Sequence, residues 1–185
     1  MSSYICAEDP PIYIRDTDRK YGALSPNSSW WTSSRGTVFP SVTHAACADV
    51  ALLARHRYDV PYMYDAIKNA TSPIGARILL RSLLEKLNRE EFHNISMDWE
   101  FSGIYYLEEA VHLRFLNHPH LLRLLETTGS TRIVYEPSYL DSFPLFGTAW
   151  RGTTFASILE GYRGEAEELH RTILRAASRK AAKRR

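Results

Sequence analysis

Hydrophobic and polar positions divide the chain into an extended first part and a helical remainder. Residues up to about 40 are rich in Pro, Ser, Gly and aromatics. The β-type runs Ile12-Tyr13-Ile14 and Thr37-Val38-Phe39 predict short strands joined by turns. From His44 the pattern becomes alanine-rich, and Cys47, Val50, Ala51 and Ala54 recur at helical spacing as far as an expected loop around Pro61. A second helix is expected to start near Ser72, with Pro73 in its first turn and Ile74, Ile78, Leu79, Leu83 and Leu87 directed inward. The clearest helical stripe holds Leu107, Ala110, Val111 and Phe115. Pro119 then opens a short helix carrying Leu121, Leu122, Leu124 and Leu125, and Gly129 closes it. Ile133-Val134-Tyr135 reads as a strand, a long loop follows through Pro137, Pro144 and Gly147, and a last helix is expected near Thr153 or Thr154. The expected class is α+β, mostly α: one compact helical domain with a few short strands and no internal repeat.

Composition adds a compartment and a charge asymmetry. With 185 residues, 44% of them hydrophobic and 24% charged, the chain has enough apolar material for one core without disulfides or metals. Cys6 and Cys47 fall in no metal-binding or redox spacing, and the opening MSSYICAEDPP lacks the features of a secretory signal. An intracellular setting, cytoplasmic or nuclear, is expected. No apolar run approaches the roughly 20 residues of a spanning helix, so no membrane crossing is expected. The formal net charge of +2 conceals a basic end: Arg171, Arg175, Arg179, Lys180, Lys183, Arg184 and Arg185 occur without an acid among them, leaving 16 bases against 21 acids elsewhere. The chain thus divides into an N-terminal extension (1–11), a domain (12–168) and a basic tail (169–185). The tail residues are candidates for contact with nucleic acid or another polyanion, against the plainer readings of a solvated end or a localisation signal.

Local motifs for chemistry are sparse. His118 and His120 form an HxH around Pro119, but the sequence places no third ligand beside them, and no metal or cofactor is expected. Ser25, Ser28, Ser29, Ser33 and Ser34 lack a GxSxG elbow and suit turns better than nucleophiles. Neither GxGxxG nor GxxxxGK[ST] occurs. What remains is the loop from Tyr135 to Asp141 after the last strand, where Glu136 and Asp141 either cap turns or contact a ligand.

Several pieces, in order from about Ile12 to Arg163, resemble the NADAR family of YbiA-like N-glycosidases. Tyr21-Gly22-Ala23-Leu24-Ser25 is similar to the family's YGxFSN, Phe39 to His44 to its WPTSEH, and Ser72 to Arg77 to a helix start of the SPxxAA type. Asp98-Trp99-Glu100 through Phe115 resembles NWExxKxxxMxxALxxKF without insertion, and HPHLLRLLETTG resembles HxxLxxLLxxTG. Ile133 to Glu136 with Asp141 resembles LVExxxxD, and Ile158-Leu159 with Arg163 the closing LMxxR.

The resemblance implies a NADAR/YbiA-like domain whose cleft accepts an ADP-ribose-like or ribose-phosphate nucleotide and whose reaction hydrolyses an N-glycosidic bond. Cleaving that bond builds positive charge on the sugar, which a carboxylate stabilises while activating water. It nominates Asp141, Glu136 and His44 for catalysis and Tyr21, Arg77 and Trp99 for ligand contact. The chain departs from the pattern where the acid of SEH is Thr43, and losing such general acid–base help typically lowers rates by roughly 10²–10⁴. Phe143 to Gly147 stands where the family has WGxG, and Cys47 and Val50 stand near the family's Gln and Lys. Weakened or lost catalysis is therefore expected. The alternative is an inactive structural or binding subunit of a nucleoprotein or capsid-like assembly, in which the chain forms a homo-oligomer and its tail contacts nucleic acid.

Overall fold

A computed structural model describes residues 10–54, 60–136 and 155–166, together with Glu168, Arg171 and Arg175. The fold is α+β and mostly α, as the periodicity predicts. Strands β1 (Ile12–Ile14), β2 (Thr32–Ser34) and β3 (Thr37–Phe39) precede helices α1 (Val42–Leu53), α2 (Val60–Lys68), α3 (Pro73–Leu84), α4 (Arg89–Asn117) and α5 (Pro119–Glu126). Strand β4 (Ile133–Tyr135) and helix α6 (155–166) complete the described chain. β2 and β3 form an antiparallel hairpin in which Ser34 pairs with Thr37. Its two turn residues, Arg35 and Gly36, both have positive φ (48° and 77°), as a mirror-image two-residue turn requires. β1 and β4 pair in parallel and so bring the start of the domain against the end of its helical part.

α1 is the central element. Every residue from Val42 to Ala51 is buried, and the helix packs on α2, α3, α4 and β2. Its alanines let these neighbours approach closely, as a helix surrounded on all sides requires. It begins two residues before His44, because Ser41 is extended and its Oγ accepts the His44 N–H, which fixes Ser41 as the N-cap.

Two further expectations need correction. The segment around Pro61 is helix rather than loop: Pro61 lies in the first turn of α2, where its missing N–H carries no penalty, and Met63 and Ile67 are buried one turn apart. In α3 the start is as expected, with Ser72 accepting the Gly75 N–H and Pro73 in the first turn, but Ile74 and Ile78 face outward. The buried side carries Ala76, Arg77, Leu80, Leu83 and Leu84, because Arg77 is drawn in by a polar partner.

α4 is 29 residues long and opens on a capping box between Asn88 and Glu91. Its inward stripe runs Ile95, Trp99, Gly103, Leu107, Ala110, Val111, Arg114 and Phe115, at spacings of three and four. Gly103 is dictated by packing, since a Cβ there would stand 2.7 Å from the Trp99 ring. Gly129, with φ of 57°, ends the turn after α5 in the left-handed region that favours glycine. The long loop of the sequence reading and the start of α6 near Thr153 or Thr154 lie outside the described residues. Among the described residues no helix is long and apolar enough to cross a membrane.

Candidate functional site

The loop after β1 and the N-terminal end of α1 meet in a polar cluster. Asp18 starts the local order by accepting the backbone N–H groups of Lys20 and Tyr21, at 2.6 and 3.0 Å, and Tyr21 leads into a 3-10 turn over Gly22–Leu24. Gly22 lets the backbone double back, because a Cβ there would lie 3.0 Å from the Arg15 carbonyl and 3.1 Å from that of Asp16. This close passage sets Asp16 beside Ser25 and Asn27. From the far side, Arg114 of α4 holds the loop: its Nη2 donates to the Leu24 carbonyl at 2.7 Å and its Nη1 to the Ser25 carbonyl at 2.8 Å. Arg114 is fully buried, and that burial lowers its pKa to about 10.

Asn27 is the hub. Its Nδ2 donates to Asp16 Oδ2 at 2.7 Å, and its Oδ1 accepts from Arg77 Nη2 at 2.7 Å and from Thr43 Oγ1 at 2.5 Å. A carboxylate only accepts and a guanidinium only donates, so these two partners fix which end of the amide faces which. Ser25 Oγ donates to Asp16 Oδ1 and accepts the Asn27 N–H. The Thr43 hydroxyl also lies 3.2 Å from the Pro26 carbonyl, and it has one proton for two acceptors. Thr43 is wholly buried, whereas Asp16 is exposed and Asn27 partly so, and these two give the cluster its solvent-facing edge.

His44 supports this arrangement from behind. Its Nε2 lies 3.1 Å from the Ala70 carbonyl, which can only accept, so Nε2 carries the proton in the neutral ring and Nδ1 accepts from Ser41 Oγ at 2.8 Å. Burial holds the imidazole below its ordinary pKa, the Arg77 cation acts in the same direction, and the Ala70 carbonyl opposes both. His44 thus ties the start of α1 to the segment that leads into α3 and Arg77.

The other nominated residues are distributed around this cluster. Tyr21 is 8% exposed, with the Lys20 ammonium 4.7 Å from its ring centre. Trp99 is 1% exposed, in the core against Gly103. Glu136 extends the β1–β4 pairing and accepts from Arg15 Nε at 2.5 Å, one residue before Asp16. The pair is exposed, and Arg15 holds the Glu136 carboxyl below the usual carboxylate range. Asp141 lies outside the described residues, as do Arg179, Lys180, Lys183, Arg184 and Arg185, while Arg171 and Arg175 are helical and exposed. His118 of the HxH directs Nε2 to the Trp31 carbonyl at 2.9 Å, and both histidine rings pack against Trp30. Asp16 and Asn27 carry the cluster without having been singled out by sequence motif, whereas Arg114, which holds their loop, stands in the stretch that resembles NWExxKxxxMxxALxxKF. The 11 residues between Asp16 and Asn27 leave no local signal, and Ser25 read as a turn former.

Together these features define the class: a mostly helical α+β domain whose central buried helix meets a glycine-hinged loop through an Asn-centred polar cluster. The fold is YbiA-like. The NMR structure of the Escherichia coli protein YbiA aligns with 85% of this chain and 85% of its own, at a TM-score of 0.60 and 21% sequence identity. No protein-family model and no curated protein matches the sequence.

Proposed function

We propose that the chain is a NADAR-type nucleotide-recognition domain in which the Asn27 cluster receives an ADP-ribose-like or ribose-phosphate ligand and N-glycosidic hydrolysis is weakened or lost. One observation carries the reading. Thr43, at the position where the resembling SEH motif has its acid, gives its only proton to neighbouring oxygens and has no charge to offer a developing sugar cation. His44 has both ring nitrogens engaged and its proton affinity lowered, which makes it a positioning group rather than a general acid. Recognition keeps better support: Asp16 and Asn27 offer acceptors and an amide to ribose hydroxyls, and Arg77 supplies a cation of the kind that suits phosphate.

The test pairs binding with turnover. ADP-ribose at about a hundredfold excess over its Kd is expected to raise Tm by roughly 5–10 °C. Chromatography should detect no release of ADP-ribose from an oligonucleotide carrying ADP-ribosylated bases by the wild-type chain. Efficient release by the wild type would overturn the loss of catalysis. An unchanged Tm at millimolar ADP-ribose would overturn recognition and favour the inactive nucleoprotein-subunit reading. That alternative rests on the seven cations from Arg171 to Arg185. It requires nucleic-acid binding that falls steeply with salt and vanishes when the chain is cut after Leu169.

A further inference from the structure

On the face of the molecule formed by α4 and α6, the outer side of α4 is apolar and open. Met97, Phe101, Ile104 and Tyr105 follow one another at i, i+4, i+7 and i+8 with exposures of 39%, 73%, 38% and 68%. Beside them α4 and α6 form a groove of about 480 Å³ lined by the apolar Ile104 and Ile158, by Gly161 and Tyr162, and by Glu108 and Glu165. Among the described residues neither glutamate takes part in an ion pair. Their field is registered by Tyr162, whose hydroxyl is pushed up to about 12 by burial and by both carboxylates. Gly161 and Gly164 lie within α6, where each weakens the helix by roughly 1 kcal/mol relative to Ala. A Cβ at either would meet nothing within 4 Å. Packing among the described residues gives no reason for them, whereas close approach by a second backbone does.

We propose that this groove is the docking site for the basic segment 169–185 of a second copy of the chain, so that two copies pair by exchanging tails. The segment has the complementary chemistry: seven cations, no acid, and Leu169, Ile173 and Leu174 to cover the apolar lining. A second copy supplies it because the described residues of and beside this segment, Glu168, Arg171 and Arg175, are helical, exposed and outside the lining of the groove in their own copy. Exchange of the same segment in both directions is the isologous arrangement of a two-fold dimer, with each groove filled once. Opposed charges in the groove set register and salt sensitivity, while burial of Phe101, Ile104 and Tyr105 supplies the apolar contact.

The experiment is sedimentation velocity on the full chain across a concentration series at low and high salt. The wild type is expected to dimerise at low salt, with a Kd about tenfold or more weaker at high salt. The double variant Glu108→Lys, Glu165→Lys is expected to lose about tenfold or more in dimer affinity. Adding Arg179→Glu, Lys180→Glu and Lys183→Glu in the same chain should restore it, and circular-dichroism melts establish that each variant is folded. A wild type that stays monomeric throughout overturns the proposal. So does a dimer indifferent to the glutamate reversals, or a reversal that the charge swap does not rescue. None of these outcomes depends on ADP-ribose binding at the Asn27 cluster.

Discussion

The Asn27 cluster and the α4–α6 groove handle polarity in opposite ways. In the first, carboxylate, amide, hydroxyl and guanidinium are knitted into one network, with its inner members buried and its orientation fixed by donor and acceptor type. In the second, acids stand beside apolar side chains with no described counter-ion. Among the described residues the cluster closes on itself and can be read as a site by its internal logic. The groove has no described complement, and the proposed tail exchange would supply one.

The sharpest way to break the cluster without touching it is through Arg114. Replacing it with Ala would strip the buried Leu24 and Ser25 carbonyls of their donors and release the loop that carries Ser25 and Asn27. Buried acceptors left unpaired cost roughly 1–3 kcal/mol each, and lost packing adds to this, so Arg114→Ala should destabilise by about 3–5 kcal/mol. Urea melts read the loss, and a change below about 1 kcal/mol would mean that the loop is held by other contacts.

Next in size is a pH effect within α1. Asp49 is buried, accepting from Ser34 Oγ at 2.9 Å with Arg35 Nε at 3.3 Å, and desolvation lifts its pKa from 3.8 to about 6 against the pull of both partners. The folded state then holds a proton that the unfolded chain gives up, so this group's stabilisation is present below about pH 4 and is lost as pH rises to about 6. The change is on the order of 3 kcal/mol. His44 has the opposite sign: its folded pKa lies below 6.5, so stability falls as pH drops below that value. Stability measured from pH 4 to 7 combines these two opposed trends, and Asp49→Asn should remove the fall with rising pH while leaving the His44 rise. An identical profile in that variant would assign the fall elsewhere.

These residues also mark what sequence could and could not reveal. Turn and cap chemistry is local, so Ser72-Pro73, Pro119 and Gly129 announced the ends of helices that the structure contains. The resemblance to the YbiA-like fold was carried by such local pieces in order. Pro61 misled because proline reads equally as loop or as first helical turn, and Ile74 and Ile78 misled because a polar demand reversed the face of α3. The cluster was mostly silent, since Asp16, Asn27, Thr43 and Arg77 join only through tertiary packing. Thr43 drew notice only as a departure from a motif, and its partners could not be read from that.

A smaller effect separates the two faces of α4 within a single turn. Gly103 lies on the inner side, where an added methyl would stand 2.7 Å from two atoms of the Trp99 ring. Trp99 is 1% exposed and has little room to retreat, so Gly103→Ala should cost roughly 1–3 kcal/mol despite the gain of about 1 kcal/mol in helix propensity. Phe101 and Tyr105 flank the same position but point outward, at 73% and 68% exposure. Ala at either should change folding stability by no more than about 0.5 kcal/mol, while reducing any dependence of Tm on protein concentration. Urea melts of the three variants at low protein concentration decide the matter. Equal losses at positions 101, 103 and 105 would mean that the outer stripe is structural within one copy, and that the open face of α4 is not kept for a partner.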